Sequence, residues 1–411
     1  MINRSTLDSG LRVVSEALPH LRSVTLGAWV GTGARDEPDE HAGASHFLEH
    51  LLFKGTPTRS AREVADAIES VGGEFNAFTT HEQTVFYVRV PAAHVERAVD
   101  VLCDVVWHPA FRADEVDVER EVILEEIGMR DDTPDDLVHE VFANAMFPEH
   151  PLGREVLGSR DTVVAMPREA IAEFHAVHYV ASNTVLAAAG NLDHEVLLGL
   201  VAERVGGAGA DRPTRAVPDF AASAPSRFVE RDTEQSHMVL GVRAIPIADP
   251  DRYALTVLNH AFGGGMSSRL FQEIREERGL AYSVYSYRGA FADNGFVALY
   301  AGTSAERSHQ TLELLQEQLD RLVADGGISA DELAAAKGAI TGSLLMGLET
   351  SSARMRRLGR DELVEGTILD LDELVARVEA VDAAAIGRVV ERLFRDTPRT
   401  LAVVGPESLA V

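Results

Sequence analysis

His46, Glu49 and His50 fall within five residues of one another, in the stretch Gly43-Ala44-Ser45-His46-Phe47-Leu48-Glu49-His50-Leu51-Leu52-Phe53-Lys54-Gly55. On a helix, at about 100° per residue, the two imidazoles lie one turn apart on one face with the carboxylate close beside them. Two neutral imidazoles can hold zinc, which lowers the pKa of a water it binds to about 7, where a nearby carboxylate can act as general base. The order is the mirror of the better-known His-Glu-x-x-His helix. Two histidines four apart also occur as solvated or core side chains, so this fragment alone leaves both readings open. A third ligand decides between them, and beside two neutral imidazoles it is usually a carboxylate.

One candidate source is Ala113-Asp114-Glu115-Val116-Asp117-Val118-Glu119-Arg120-Glu121-Val122-Ile123-Leu124-Glu125-Glu126-Ile127. It predicts a helix with Asp114 as N-cap and an acidic first turn suited to the positive end of the helix dipole. Glu119 and Glu126 return nearly to register after two turns, on the side that also carries Val122 and Ile123. Carboxylates on an apolar stripe are costly unless positive charge meets them, and a zinc ion would supply it. Glu121 and Glu125 fall off that stripe and face water. For Glu119 the other reading is a structural partner of a His or Arg.

His46-Phe47-Leu48-Glu49-His50 followed 76 positions later by Glu126 (126 − 50 = 76) resembles the pitrilysin/insulinase family of zinc peptidases, the inverzincins. Within that family the likeness is to mitochondrial processing peptidase β-subunits and their single-chain bacterial relatives. The resemblance implies one Zn2+ per chain held by His46, His50 and Glu126, with Glu49 as the base that activates water and Glu119 as a second supporting carboxylate. It implies cleavage of unfolded or short peptides by a chain that acts as a homodimer or as a heterodimer with a related chain. Family members also serve as non-catalytic scaffold subunits, so a core subunit of a processing-peptidase-like complex is the alternative. Such subunits typically lack intact ligands, and here all are present.

Two further sets of residues follow from the same resemblance. Asn76, Ala77 and Phe78 lie in a strand that resembles the sheet edge along which a peptide substrate pairs. Strand addition suits a protease of broad taste, because main-chain hydrogen bonds do not read side chains; an ordinary edge strand is the other reading. Arg275 and Tyr282, seven apart, resemble the family's pair that reaches the substrate carbonyl, and a guanidinium and a phenol are suitable donors to a developing oxyanion. Without the resemblance they read as a salt-bridged arginine and a core tyrosine.

The elements that must position these groups come from a chain of 411 residues, 45% hydrophobic, with no apolar run long enough to span a membrane. Sixty-five acidic against 38 basic residues give −27, which opposes binding to nucleic acid or anionic lipid. The same charge either attracts basic, presequence-like peptides or serves solubility alone. The single cysteine, Cys103, falls in an apolar helical pattern and fits a reducing compartment. The first residues lack a signal or transit layout, so a cytoplasmic protein is expected.

Strands over 11–16 and 23–30 precede the histidine helix, another helix stops at Gly72-Gly73, and 74–81 with 83–90 read as a hairpin. Strands over 227–230 and 236–243 and a helix at 252–260 then repeat the plan, and Thr400–Gly405 echoes Thr184–Gly190. The expected fold is therefore α+β: a catalytic half at 1–210, a linker at 211–226 and a homologous half at 227–411, each a mainly antiparallel sheet with helices on one face. The resemblance implies that the two halves enclose a clam-like chamber. Laying His260 on His50 puts Thr256 at His46 and Asn259 at Glu49, so only the first copy is expected to hold metal. Helices are also expected over 308–325, 329–349 and 372–394, with Ser351–Arg354 in a break. The Gly-rich 262–268 stretch reads as a hinge, and His81 and His108 as structural or surface.

Overall fold

Side chains alternate across a strand, so a strand buried on both faces reads as a nearly continuous apolar run. Ser23–Val30 and Thr184–Gly190 are runs of this kind, and both are central in the computed structural model, which describes residues 2–205 and 209–409. The stretch Gly206-Gly207-Ala208, which in the sequence reads as the stop of a helix over about 193–205, lies outside the described residues.

The first sheet contains β1 (Ile2–Thr6), β2 (Arg12–Ala17), β3 (Ser23–Val30), β4 (Glu74–Thr79), β5 (Thr84–Pro91) and β6 (Thr184–Gly190), in the order β1-β2-β6-β3-β5-β4. Only β2 and β6 run parallel. Val24, Leu26, Ala28 and Val30 of β3 point into the main core, where α1 (Ala44–Leu52), α2 (Ala61–Glu69), α3 (Val95–Trp107) and α4 (Ala113–Asp131) pack. Cys103 is buried in that core, and burial pushes its thiol up to about 12, so it is an inert packing group. Trp29 of β3 and Val185, Ala187 and Ala189 of β6 point the other way, onto Met355 and Leu358 of the helix Ser351–Arg360. Thr25 Oγ1 meets Ser351 Oγ at 2.8 Å there, and the Trp29 indole N–H donates to Met355 Sδ at 3.3 Å.

The second sheet contains β7 (Ser226–Glu230), β8 (Gln235–Ala244), β9 (Ser283–Ala290), β10 (Gly295–Ser304) and β11 (Thr400–Gly405), in the order β7-β11-β8-β10-β9. One face packs on helices that include Arg252–Gly263, Ser308–Ala324 and Ala383–Leu393. The other packs on α5 (Pro134–Met146) through Leu137, Val138, Phe142 and Met146.

The compact units do not follow the two contiguous stretches of sequence. The first unit comprises residues up to Gly128, Arg154–Pro218 and Gly347–Ile368; the second comprises Met129–Gly153, Asp219–Met346 and Leu369–Val411. Each sheet consequently has helices on both faces rather than one, the extra helix being encoded in the sequence of the other half. Two smaller differences have local causes. Ser351–Arg354 forms the first turn of a packed helix, capped by Thr350 Oγ1, which accepts from the Ala353 N–H at 3.1 Å. The expected helix over 372–394 is two, Leu371–Glu379 and Ala383–Leu393, because Asp382 caps the second by accepting from the Ala385 N–H at 2.8 Å.

Candidate metal centre

The helix that carries the two histidines begins at a position only glycine fills. Gly43 has φ 100°, and a Cβ there would fall 2.6 Å from the Leu157 carbonyl oxygen. The first N–H groups of a helix lack internal partners, and here Glu37 supplies them. Its carboxylate accepts from the Gly43 N–H at 2.7 Å and the Ser45 N–H at 2.6 Å. Burial nevertheless pushes the Glu37 carboxyl up to about 7, against those two bonds and the nearby Arg154. Phe47, Leu48, Leu51 and Leu52 then bury the inner face of α1, which leaves His46, Glu49 and His50 along its partly exposed side.

α4 brings up the third donor. His46 Nε2 and His50 Nε2 each lie 3.5 Å from Glu126 Oε2, and the three potential ligand atoms fall within 4.8 Å of one another. Zinc bonds of about 2.1 Å in tetrahedral array place ligand atoms roughly 3.4 Å apart, so two of the three edges already have the length zinc requires. His50 Nδ1 meets Glu119 Oε2 at 3.0 Å. A carboxylate accepts, so Nδ1 carries the proton and Nε2 keeps its lone pair for a metal. Glu119, 3% exposed, is neutralised by Lys54, whose Nζ lies 2.6 Å from Oε1. Burial, with His50 adding to it, pushes His46 down to about 4, so its ring is neutral at neutral pH. Its Nδ1 is buried with no hydrogen-bond partner among the described residues, and the ring is held by packing and by edge contact with His50 at 4.7 Å. This donor set of two imidazoles and one carboxylate fits zinc. It is the one cluster of three or more potential ligands among the described residues.

Glu49 stands next to that cluster. Burial raises its carboxyl above the usual range, with Glu126 adding to the effect and Thr79 and His50 opposing it. Thr79 is the last residue of β4, which among the described residues pairs only with β5 and so forms an edge of the sheet. Asn76 and Ala77 face Tyr87 and Phe86 across the ladder, and Phe78 faces Val85. Asn76 is exposed, and its Oδ1 accepts from the Ala77 N–H at 2.8 Å. A groove of about 530 Å3 opens beside this edge, lined in part by Phe53, Val64, Ile68 and Phe75.

Arg275 and Tyr282 belong to the second unit. Arg275 Cζ lies 4.6 Å from the Tyr282 ring centre and 4.7 Å from that of Phe271, and Tyr282 is 80% exposed. The two residues thus form a pair, and Tyr282 is not a core tyrosine.

Residues 12–160 match the insulinase family, peptidase family M16, and residues 165–340 match the M16 inactive domain. An uncharacterized zinc protease of Streptomyces coelicolor is 43% identical over 98% of this chain and 90% of its own. One of Mycobacterium tuberculosis is 45% identical over 98% and 93%. The chain belongs to peptidase family M16. Among solved structures, a protease from Helicobacter pylori shares the fold of this M16 chain with TM-score 0.90 at 23% identity, over 99% of both chains. A Bacillus subtilis relative named a zinc protease is 38% identical over 99% of this chain and 98% of its own. Zinc is thus the metal named for the relatives, and the donor set above suits it.

Two expectations about α4 fail. The helix begins at Ala113, so Asp114 lies inside the first turn instead of capping it, and Val122 is 39% exposed while Ile123 is fully buried. Glu119 and Ile123 face the core, and Glu126 lies at its border. Sequence reasoning also passed over three groups that hold the site. Lys54 lies four residues beyond His50, just past the end of α1, a spacing that was available as a signal. Glu37 and Thr79 reach the site only through chain reversals that no periodicity reveals. His81 is structural, its Nε2–H donating to the Arg154 carbonyl at 3.1 Å, and His108 is at the surface. Among the described residues no helix is long and apolar enough to cross a membrane.

Proposed function

We propose that this chain is a zinc-dependent endopeptidase of unfolded or short peptides, with Glu49 as its general base. The observation that carries the reading is the Glu49 carboxyl of α1 standing beside a cluster of two imidazoles and a carboxylate whose ligand atoms lie within 4.8 Å of one another. Zinc, when bound by His46, His50 and Glu126, supplies a Lewis acid that acidifies water and polarises a carbonyl. Glu49 accepts a proton from the attacking water as the new C–O bond forms, and delivers it to the leaving amine as the C–N bond breaks. A raised pKa suits both halves of that exchange, since it makes the carboxylate a stronger base towards the water and a better holder of the proton it must hand on. Glu119 and Lys54 hold His50 in the tautomer that leaves Nε2 free. Asn76, Ala77 and Phe78 offer the peptide an edge to pair with, which gives main-chain affinity with little side-chain demand.

The net charge of −27 supports attraction of basic, presequence-like segments at low salt. Equal cleavage of a cationic peptide and its neutral analogue at low salt would remove that refinement. The buried lone thiol supports a cytoplasmic setting, and the resemblance supports a homodimer or a heterodimer with a related chain. The part assigned to Arg275 and Tyr282 at the substrate carbonyl rests on the resemblance.

The test is hydrolysis of an unfolded polypeptide, followed by mass spectrometry, before and after metal removal and zinc return. Cleavage that disappears with the metal and returns with zinc supports the enzyme. A scaffold subunit would show the same background in wild type and Glu49→Gln whatever the metal content.

A further inference from the structure

Against the first sheet, near the edge where a peptide would pair, a helix carries an arginine that has no acidic partner among the described residues. Four arginines lie on the helix Ser351–Arg360. Arg354 pairs with Glu16 at 2.5 Å, and Arg357 and Arg360 pair with Asp361 at 3.5 and 3.0 Å. Arg356 is exposed and, among the described residues, has no carboxylate partner, in a chain with 65 acidic against 38 basic residues. Its guanidinium lies instead over two rings of the β4–β5 hairpin, 5.0 Å from the centre of Tyr87 and 5.9 Å from that of Phe78. Nη2–H donates to the Tyr87 hydroxyl at 3.0 Å. Two aromatic faces and one hydrogen bond hold the group in place and leave most of its N–H donors unused.

Strand alternation places this cation relative to the bond that would be cut. Phe75 and Ala77 of β4 face the core shared with α1, and Thr79 on the same side lies beside Glu49. Phe78, one residue earlier, faces the opposite layer with Trp29, Tyr87 and Met355. A peptide added along β4 has the same period of two, so its side chains point by turns towards the metal face and towards Phe78 and Arg356. The residue that meets Arg356 is therefore within one or two positions of the bond nearest Glu49. We propose that Arg356 is a specificity-determining residue that binds a carboxylate of the peptide substrate next to the cleaved bond. The proposal rests on the endopeptidase reading and deepens it. The chain's negative field is long-ranged and screened by salt, whereas this contact is local, so general attraction of basic peptides and a preference for one carboxylate are compatible. That carboxylate belongs either to an Asp or Glu side chain or to the free C-terminus of a short peptide.

The experiment profiles cleavage by the zinc-loaded full chain of a peptide series that differs only by Glu, Gln or Lys at each position flanking the cut, with free or amidated C-termini. An exposed, well-oriented ion pair gives a preference of about fivefold, about 1 kcal/mol at 1.4 kcal/mol per tenfold. Wild type should favour Glu over Gln at one position by that factor, Arg356→Gln should bring the ratio to about one, and Arg356→Glu should favour Lys. The same pattern confined to free against amidated termini would assign the carboxylate to the peptide end. A Glu/Gln ratio and a free/amide ratio that are both the same in wild type and Arg356→Gln would overturn the proposal. Should no peptide be cut, the endopeptidase reading fails. Fluorescence anisotropy of the same peptides on Glu49→Gln, with and without Arg356→Gln, then decides. Carboxylate-selective binding that requires Arg356 upholds the contact, and its absence ends it. Circular dichroism and zinc content establish that each variant is folded.

Discussion

The two sheets share one connectivity and differ in chemistry. With β1 set aside, β2-β6-β3-β5-β4 and β7-β11-β8-β10-β9 have the same order, and each has one parallel pair, β2 with β6 and β7 with β11. After β3 the chain forms α1 with His46, Glu49 and His50; after β8 it forms Arg252–Gly263, where Thr256, Asn259 and His260 stand in the aligned places. Thr256 Oγ1 donates to the Arg252 carbonyl at 2.7 Å, and Asn259 Nδ2 to the Ser286 carbonyl at 3.5 Å, so those side chains serve the local backbone. The edge strands differ in the same sense. On β9, Tyr285 and Tyr287 are engaged by His139 of α5 at 3.1 and 2.6 Å, whereas on the β4 side Phe78 and Tyr87 meet the cation of Arg356, which has no carboxylate partner among the described residues. Fold and function therefore separate: one scaffold is spent twice, and a few side chains decide which copy can do chemistry.

The comparison breaks most completely at Glu126. Glu126→Gln removes the only anionic donor of the three, and the expected result is loss of bound zinc from about one per chain to near none, measured by elemental analysis of the folded protein. Undiminished zinc in that variant would mean that the metal sits elsewhere. Glu49→Gln should do the opposite. Zinc stays, and peptide hydrolysis falls by about 10²–10⁴, the range for a positioned general base. A rate within a few-fold of wild type would remove Glu49 from the mechanism.

Lys54 sharpens the contrast at a smaller scale, because the second copy needs no such group. Buried Glu119 has His50 Nδ1 on one oxygen and Lys54 Nζ on the other. Lys54→Met leaves that carboxylate with one partner fewer and should weaken zinc binding by about 10–100-fold, as loss of a group supporting a metal ligand commonly does. Competition against a chelator reads the affinity without reference to activity. Lys54→Arg should recover part of it, and an unchanged affinity in Lys54→Met would make the ion pair a surface ornament.

How much of this was legible in the chain depends on distance along it. His46, Glu49 and His50 were readable because helical periodicity alone puts them together, and the composition of 23–30 announced the strand β3, though not its central place in the sheet. Glu126 required a resemblance, since no local rule brings α4 to α1. The exchange of α5 and Ser351–Arg360 between the units was hidden for a physical reason. An amphipathic helix specifies that one face is buried, not which sheet buries it. Val122 misled because α4 is apolar on two sides: Val116, Ile123 and Ile127 face the core, while Val118 and Val122 face outward. Arg356 lay in a segment with no chemical argument until its aromatic neighbours were visible.

The last expected effect touches neither metal nor substrate: it concerns how firmly α1 is held, and it turns on Glu37. Its carboxyl titrates near 7 in the folded chain because burial disfavours the charge, against about 4.3 for an unfolded glutamate. The folded state thus holds a proton between those values that the unfolded state has released. Stability from this group is fully present below about pH 4.3 and is lost as pH rises through 7, by at most about 1.4 kcal/mol per pH unit. His46 has the opposite sign: its folded pKa near 4 makes stability fall as pH drops from about 6.5 through 4. Only a difference between variants isolates the Glu37 contribution. The metal-free protein is the right material, because zinc binding is itself pH-dependent. Glu37→Gln keeps a neutral acceptor for one of the two N–H groups of Gly43 and Ser45, so its Tm should fall less than that of wild type between pH 5 and 8. Parallel Tm curves over that range would show that Glu37 is an ordinary ionised cap, held by the helix dipole more strongly than burial opposes it.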